Sequence, residues 1–244
     1  MTLFLTSHIG GFIRKDGQRI PSSLITDNNL VNNLKTRWPE QAKVMFIAAN
    51  PNNIEKSESY RNAFLYAFPF HGMSIQTYAV CDCRNEDIVA QLSDYDVIIL
   101  SGGHVPTQNN FFQHIGLKEK LDGYNGIIIG ISAGTMNCAE IVYAHPELDG
   151  EAIDPKYERF IPGLGLTKRM ILPHYQMIKD DVLDDLRVFE DIAYPDSYGH
   201  EFYALNDGSY IISENGIEAL YGEAYRIRDG QISMICKNDE SRIL

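Results

Sequence analysis

Apolar residues along this chain follow two rhythms. Short β-branched and aliphatic runs occur at Leu3–Thr6, Lys43–Ala49, Ser74–Ala79, Val97–Ser101 and Gly126–Ile131. Between them lie longer stretches in which apolar positions recur every three or four residues, the spacing of one helical face. Continuous apolar strands alternating with helices predict a mostly parallel sheet covered on both faces, an α/β architecture. Start and stop signals bound the helices. Asp27 caps one running towards Trp38, Ser57 or Glu58 opens one ending near Phe68, and Thr107 opens one that stops before Gly123. The segment GTMNCAEIVYA, from Gly134, reads as a further helix start.

The rhythm then loosens. AHPELDGEAIDPKYERFIPGLGL carries three prolines and three glycines, the composition of a long excursion, and such loops are usually functional or mobile. Asp180–Ala193 fits another helix. Short strands follow at Phe202–Leu205, Ser209–Ser213, Ile217–Tyr221, Ala224–Arg228 and Gln231–Ile235, with a hairpin turn at Asp229-Gly230. No repeat or low-complexity linker interrupts the pattern, so one α/β domain over residues 1–244 is expected.

Composition narrows the partners. With 44% hydrophobic residues in 244 the chain can fill a large core. Thirty-three acidic against 21 basic residues give a net charge of −12, which argues against a nucleic-acid backbone or an anionic membrane as partner. A small anionic substrate in a locally basic pocket stays compatible with that charge. The opening MTLFLTSHIGG has no basic leader and no long apolar run, so a cytoplasmic location is expected. Cys81 and Cys83 are too close for a usual structural zinc pair, and Cys138 and Cys236 bring no second pair. Reduced thiols, no metal and no cofactor are therefore expected. A homo-oligomer is compatible with the sequence, which fixes no subunit number.

The chemistry concentrates in Gly130-Ile131-Ser132-Ala133-Gly134, on the junction between the strand YNGIIIGI and the helix-like stretch. That is the setting of a nucleophile elbow, a sharp strand-to-helix turn that raises a serine hydroxyl above the sheet edge. Small flanking residues are needed because strand and helix approach closely there. The first amides after the serine then point to where an oxyanion would form. One strand earlier, SGGH places Gly102-Gly103-His104 at the same end of the sheet, with Gly103 the better second amide donor. A plain glycine-rich turn with a capping serine would carry the same residues.

Among seven histidines, His174 in RMILPHYQ stands where a strand ends at the sheet rim, the place for a general base. His104, His145 and His200 are alternatives, whereas His8, His71 and His114 have little to recommend them. The carboxylate that would orient the imidazole is Asp207, in the turn of YALNDGSYII, with Glu201 and Asp196 competing.

Together, GISAG, SGGH, LPHY and LNDGSYI, with LFLTS and VMFIAAN, resemble the peptidase E and cyanophycinase family of serine peptidases. The resemblance implies a flavodoxin-like, class I glutamine amidotransferase-like three-layer sandwich with C-terminal β-hairpins. It implies Ser132 as nucleophile, His174 as base, Asp207 as the acidic third member, and Gly103 and Ala133 as oxyanion donors. The order Ser, His, Asp differs from that of the α/β-hydrolases. The implied activity is hydrolysis of short peptides, including those with an N-terminal aspartate. Arg169 and Lys179, with Lys168 and Arg187 as alternatives, are candidate readers of a substrate carboxylate, and His104 is a further candidate substrate contact. Two other readings share these residues: an α/β-hydrolase esterase using Ser132, Asp196 and His200, and a non-catalytic binding or regulatory protein on the same scaffold.

Overall fold

The computed structural model describes residues 1–244. From the N-terminus, β1 (Thr2–Thr6) leads into a hairpin of β2 (Gly10–Lys15) and β3 (Gln18–Leu24), then α1 (Leu30–Lys35), β4 (Ala42–Ile47), α2 (Ile54–Phe70) and β5 (Ile75–Cys81). A 3-10 segment at Glu86–Asp94 precedes β6 (Val97–Leu100), α3 (Val105–His114), α4 (Leu117–Lys120), β7 (Ile127–Ile131) and α5 (Ala133–Met136). The excursion holds β8 (Ile141–Tyr143) and β9 (Phe160–Pro162), followed by β10 (Met170–Leu172), α6 (Tyr175–Ile178) and the short pair β11 (Val182–Leu183) and β12 (Leu186–Arg187). A π-helix at Val188–Ala193 and α7 (Tyr194–Asp196) lead to β13 (Glu201–Leu205), β14 (Tyr210–Glu214), β15 (Ile217–Tyr221), β16 (Ala224–Arg228), β17 (Gln231–Cys236) and β18 (Ser241–Ile243).

Eight strands form the central sheet in the order β18-β15-β14-β1-β7-β6-β4-β5. From β1 to β5 all neighbours are parallel, and the three strands beyond β1 are antiparallel. Every residue of β6 and β7 is buried, because side chains leave both faces of the sheet into apolar layers. Leu3, Leu5, Met45, Ile98 and Ile128 pack on one side with Phe111 and Phe112 of α3. Phe4, Val44, Phe46, Ile99 and Ile129 pack on the other with Tyr60, Phe64 and Phe68 of α2. This is the flavodoxin-like three-layer arrangement. A second sheet, β10-β13-β16-β17, encloses a third core around Met136, Tyr143, Leu172, Phe189 and Phe202. No helix is long and apolar enough to cross a membrane.

Several expected helices take other forms. The stretch after Ser132 is helical only to Met136 and soon becomes β8. There the buried Asn137 side chain donates to the Val105 carbonyl and to Gln108 Oε1, tying the chain to α3. Asp180–Ala193 is helical only in its second half, the π-helix Val188–Ala193; before it Asp184 and Asp185 turn the chain at φ 54° and 64°, a left-handed pair that Asp tolerates and that closes a hairpin. The Asp184 carboxylate accepts the Gly150 and Ala152 amides at 2.7 and 3.0 Å, so the excursion holds this turn in place. The segment expected to begin at Thr107 begins at Val105 and breaks at Gly116, whose φ is 60°. Asn53, not Ser57 or Glu58, caps α2, its side chain accepting the Lys56 amide at 3.0 Å.

The hairpin of β2 and β3 was not expected, although its Asp16-Gly17 turn has the same chemistry as Asp229-Gly230. It lies on α2. A Cβ on Gly11 would stand 2.9 Å from the Phe64 ring, so only glycine lets the two approach.

Candidate active site

Ser132 occupies the single residue between β7 and α5, at φ 53° and ψ −114°. A non-glycine residue held there costs on the order of 1–3 kcal/mol, and the surroundings enforce it. The Ser132 amide donates to the Thr6 carbonyl at 3.1 Å, and its carbonyl accepts from the Met136 amide at 3.0 Å. The Thr135 hydroxyl donates to Thr6 O and accepts from Thr6 N–H at 2.7 and 2.8 Å, fastening α5 to β1. The flanking glycines have a steric cause. A Cβ on Gly130 would lie 2.8 Å from Thr135 Cα, and one on Gly134 would run into the Leu100 carbonyl. The Gly103 and Ala133 amides, expected as oxyanion donors, have no acceptor within the protein.

His174 follows β10 and Pro173 and takes a left-handed conformation, φ 61°. Its ring Nε2 lies 2.9 Å from Ser132 Oγ and its Nδ1 lies 2.7 Å from Asp207 Oδ1. An ionised carboxylate can only accept, so Nδ1 carries the proton and Nε2 is left to accept the serine hydroxyl. Ser7, just past β1, ties the group together: its hydroxyl accepts the His174 amide and donates to Asp207 Oδ1, each at 2.8 Å. The Asp207 amide donates to Gln176 Oε1 at 2.9 Å. Burial works to raise the Asp207 pKa, but the hydrogen bonds from His174 and Ser7 and the charges of His174 and His8 outweigh it, leaving the carboxyl below its ordinary value.

A family model for peptidase family S51 matches residues 22–219, a span that contains Ser132, His174 and Asp207. The chain belongs to peptidase family S51. Membership makes it a serine-type peptidase, a hydrolase. No curated protein matches the chain in sequence. Two solved structures share the fold of this S51 peptidase. A peptidase from an acI-B1 Actinobacterium is 13% identical with a TM-score of 0.63, covering 100% of this chain and 96% of its own. A Listeria monocytogenes EGD-e protein assigned to peptidase E is 15% identical with a TM-score of 0.54, covering 96% and 97%.

The competing carboxylates of the S51 chain are committed elsewhere. Glu201 accepts from Tyr203 OH at 2.7 Å and faces Arg226 and Arg228. Asp196 accepts from Tyr143 OH and from Arg159, both at 2.7 Å. His200 stacks on Phe160 with ring centroids 4.1 Å apart, so the esterase arrangement of Ser132, Asp196 and His200 is not assembled.

The expected substrate readers also lie apart from Ser132. Arg169 precedes β10, whereas His174 follows it, and its guanidinium is held by Glu218 at 2.8 Å and by Tyr203. Arg187 is paired with Asp191, and Lys179 is exposed beyond α6. His104 spends both ring nitrogens on Thr107 Oγ1 and Glu151 Oε1, each at 2.8 Å. Two residues passed over in the sequence prove to be neighbours. Ser7 closes the stretch LFLTS that shares in the resemblance, but no role was expected of it, and its position at the end of a central strand is the signal that could have found it. His8, which had little to recommend it, has its ring 6.3 Å from that of His174, and burial lowers its pKa.

Ser132 and His174 open into a cavity of about 330 Å³ walled by Met136, Leu172, Ile178, Val182, Leu183 and Val188. No Lys or Arg lines it; its ionisable members besides His174 are His145, Glu147 and Asp181. Burial drives the His145 pKa down to about 4, so its ring is neutral. Crowding at the rim and then the charge of Glu151 push the Glu147 carboxyl upward, an effect that solvent tempers because the residue is exposed.

Proposed function

We propose that this chain hydrolyses short peptides through an acyl-enzyme formed on Ser132. The observation that carries the reading is the unbroken hydrogen-bond chain from Ser132 Oγ through the His174 ring to Asp207. As Oγ attacks the peptide carbonyl, its proton passes to His174 Nε2, and Asp207 steadies the resulting imidazolium. The oxygen that gains negative charge meets the unpaired amides of Gly103 and Ala133, and one well-placed donor of this kind supplies about 3–4 kcal/mol. His174 then hands the proton to the leaving amine. A water molecule, deprotonated by the same nitrogen, releases the acyl group and restores the serine.

The apolar cavity would take one side chain of the peptide. In the finer substrate reading the peptide carries an N-terminal aspartate. Such a carboxylate would find only Glu147 and Asp181 in that cavity and no cation, so it would have to be met on the other side of Ser132.

Reaction with a fluorophosphonate and mass-spectrometric mapping of the adduct tests the proposal. Labelling at Ser132, with turnover of a dipeptide library lost in Ser132→Ala, is the expected result. Label elsewhere, or undiminished turnover in the variant, overturns it.

A further inference from the structure

Residues 144–159, between β8 and β9, form neither helix nor strand. From Glu147 to Lys156 every residue is exposed except Glu151 and Ala152. Those two, with Gly150, tie the stretch to the active site, and they reach to different parts of it. Glu151 Oε1 lies 2.8 Å from His104 Nε2, in the residue that follows Gly103. The Gly150 and Ala152 amides donate to Asp184 at 2.7 and 3.0 Å, in the turn between β11 and β12, whose Val182 and Leu183 wall the cavity. Three consecutive residues therefore join the turn that carries a proposed oxyanion donor to the wall of the cavity beside Ser132.

The turn at Gly103 is confined on every side. A Cβ on Gly103 would stand 2.5 Å from Ala49 Cβ, so the turn is pressed against the segment after β4. Gln108 holds its ends, the side chain donating to the Ser101 carbonyl at 2.7 Å and the amide to the His104 carbonyl at 3.1 Å. The His104 ring is the remaining handle. Glu151 is an acceptor only, so Nε2 donates to it, and in the neutral ring Nδ1 accepts the Thr107 hydroxyl at 2.8 Å. The other oxygen of Glu151 accepts the Glu147 and Leu148 amides at 2.9 and 3.0 Å, so its own loop fixes the carboxylate before it meets His104. A partly exposed pair of this kind adds little to global stability. What it sets is position, and an oxyanion donor acts only if it is aimed at the developing charge beforehand.

We propose that Glu151 is a positioning residue: acting through His104, it holds the Gly103 amide in line with Ser132, and the Gly150–Ala152 brace makes that alignment depend on the Asp184 turn beside the cavity. The effect on rate rests on the peptidase reading. The mechanical link from Asp184 to Gly103 does not.

Turnover of a dipeptide found by library screening and the rate of reaction with a fluorophosphonate read the effect on chemistry. Glu151→Ala and His104→Ala should each lower kcat about 10-fold with KM little changed, short of the 10²–10³-fold expected on the order of magnitude for a donor removed outright. The double variant should lose no more than the larger single loss, since both act on one amide. Glu151→Gln should recover most of the rate, because its side-chain amide can donate to the other tautomer of His104. A merely structural role would instead give losses that track the folded fraction and add in the double variant. Unchanged kcat in His104→Ala, or additive losses, overturns the proposal. The ¹H–¹⁵N resonance of Gly103 reads the link without turnover. It should shift or broaden in Asp184→Asn, a variant that tolerates the left-handed backbone but has one acceptor fewer for the brace. A Gly103 resonance unmoved in Asp184→Asn also overturns the proposal. Failure of Ser132 labelling in the parent protein would count against the peptidase reading alone, because the Gly103 resonance still decides the link.

Discussion

The seats of Ser132 and His174 are built in opposite ways. Ser132 is held by its own neighbourhood: a buried parallel strand before it, a helical turn after it, and two glycines that let the segments approach. His174 is held from a distance. Its strand belongs to the second sheet, its amide is received by Ser7 from the central sheet, and its ring is oriented by Asp207 from a turn beyond β13. The serine proposed as nucleophile is fixed locally and can be read from a motif, whereas the histidine proposed as base is fixed by three separate segments and works only if two sheets dock in register. The difference also separates chemistry from folding, since faults near Ser132 strain the core and faults near His174 misalign a ring.

Five substitutions probe that contrast, and the largest effects fall on the chemistry. Ser132→Ala should lower kcat on the order of 10⁵–10⁶-fold with an unchanged melting temperature or a slightly raised one, because a serine hydroxyl held on a strained backbone adds nothing to stability. Initial rates and calorimetry on one preparation check both. His174→Ala should cost about as much, and the double variant no more than either alone, since the two act as a unit; full additivity would mean that they do not.

Asp207→Asn should reduce kcat by about 10⁴-fold, because an amide stabilises the wrong imidazole tautomer. The carboxylate also gives this variant a stability signature. The folded-state pKa of Asp207 is depressed. Its contribution is therefore fully present above the ordinary Asp value of about 4 and is lost as pH falls through the lower folded value. Denaturant melts from about pH 6 to pH 2 should show that acid-side loss in the parent and less of it in Asp207→Asn.

Gly134→Val reverses the pattern. It should cost roughly 3 kcal/mol or more of stability through its collision with the Leu100 carbonyl, and activity should fall with the folded fraction rather than through the chemical step. Chemical denaturation followed by active-site titration separates the two.

Ser7→Ala should have the smallest effect, about 10-fold in kcat with a modest loss of stability, because it removes one acceptor from the His174 amide and one donor to Asp207. Its acid limb should move to higher pH, since Asp207 loses one of the bonds that hold its pKa down. An unchanged limb would show that Ser7 does not tune the carboxylate.

Much of this was legible along the chain. The five parallel strands, the strand-to-helix turn at Ser132 and the C-terminal hairpins all follow from local pattern, because strand burial, glycine spacing and Asp-Gly turns act over a few residues. The misread segments are those whose conformation is imposed from afar. Asp180–Ala193 has helical periodicity, yet two left-handed aspartates and a carboxylate bound to the amides of Gly150 and Ala152 bend its first half into a hairpin, leaving a helix only over Val188–Ala193. Arg169, a cation near the histidine in sequence, is drawn off by Glu218 and Tyr203 at the far end of its strand.

The sequence by itself determined that a serine would stand at a strand-to-helix junction in a mostly parallel sheet, since hydrophobic period and backbone sterics need no partner to act. Only the tertiary structure decided which carboxylate reaches His174. Asp207, Glu201 and Asp196 look alike along the chain, and proximity across two sheets is set by packing that no local spacing encodes.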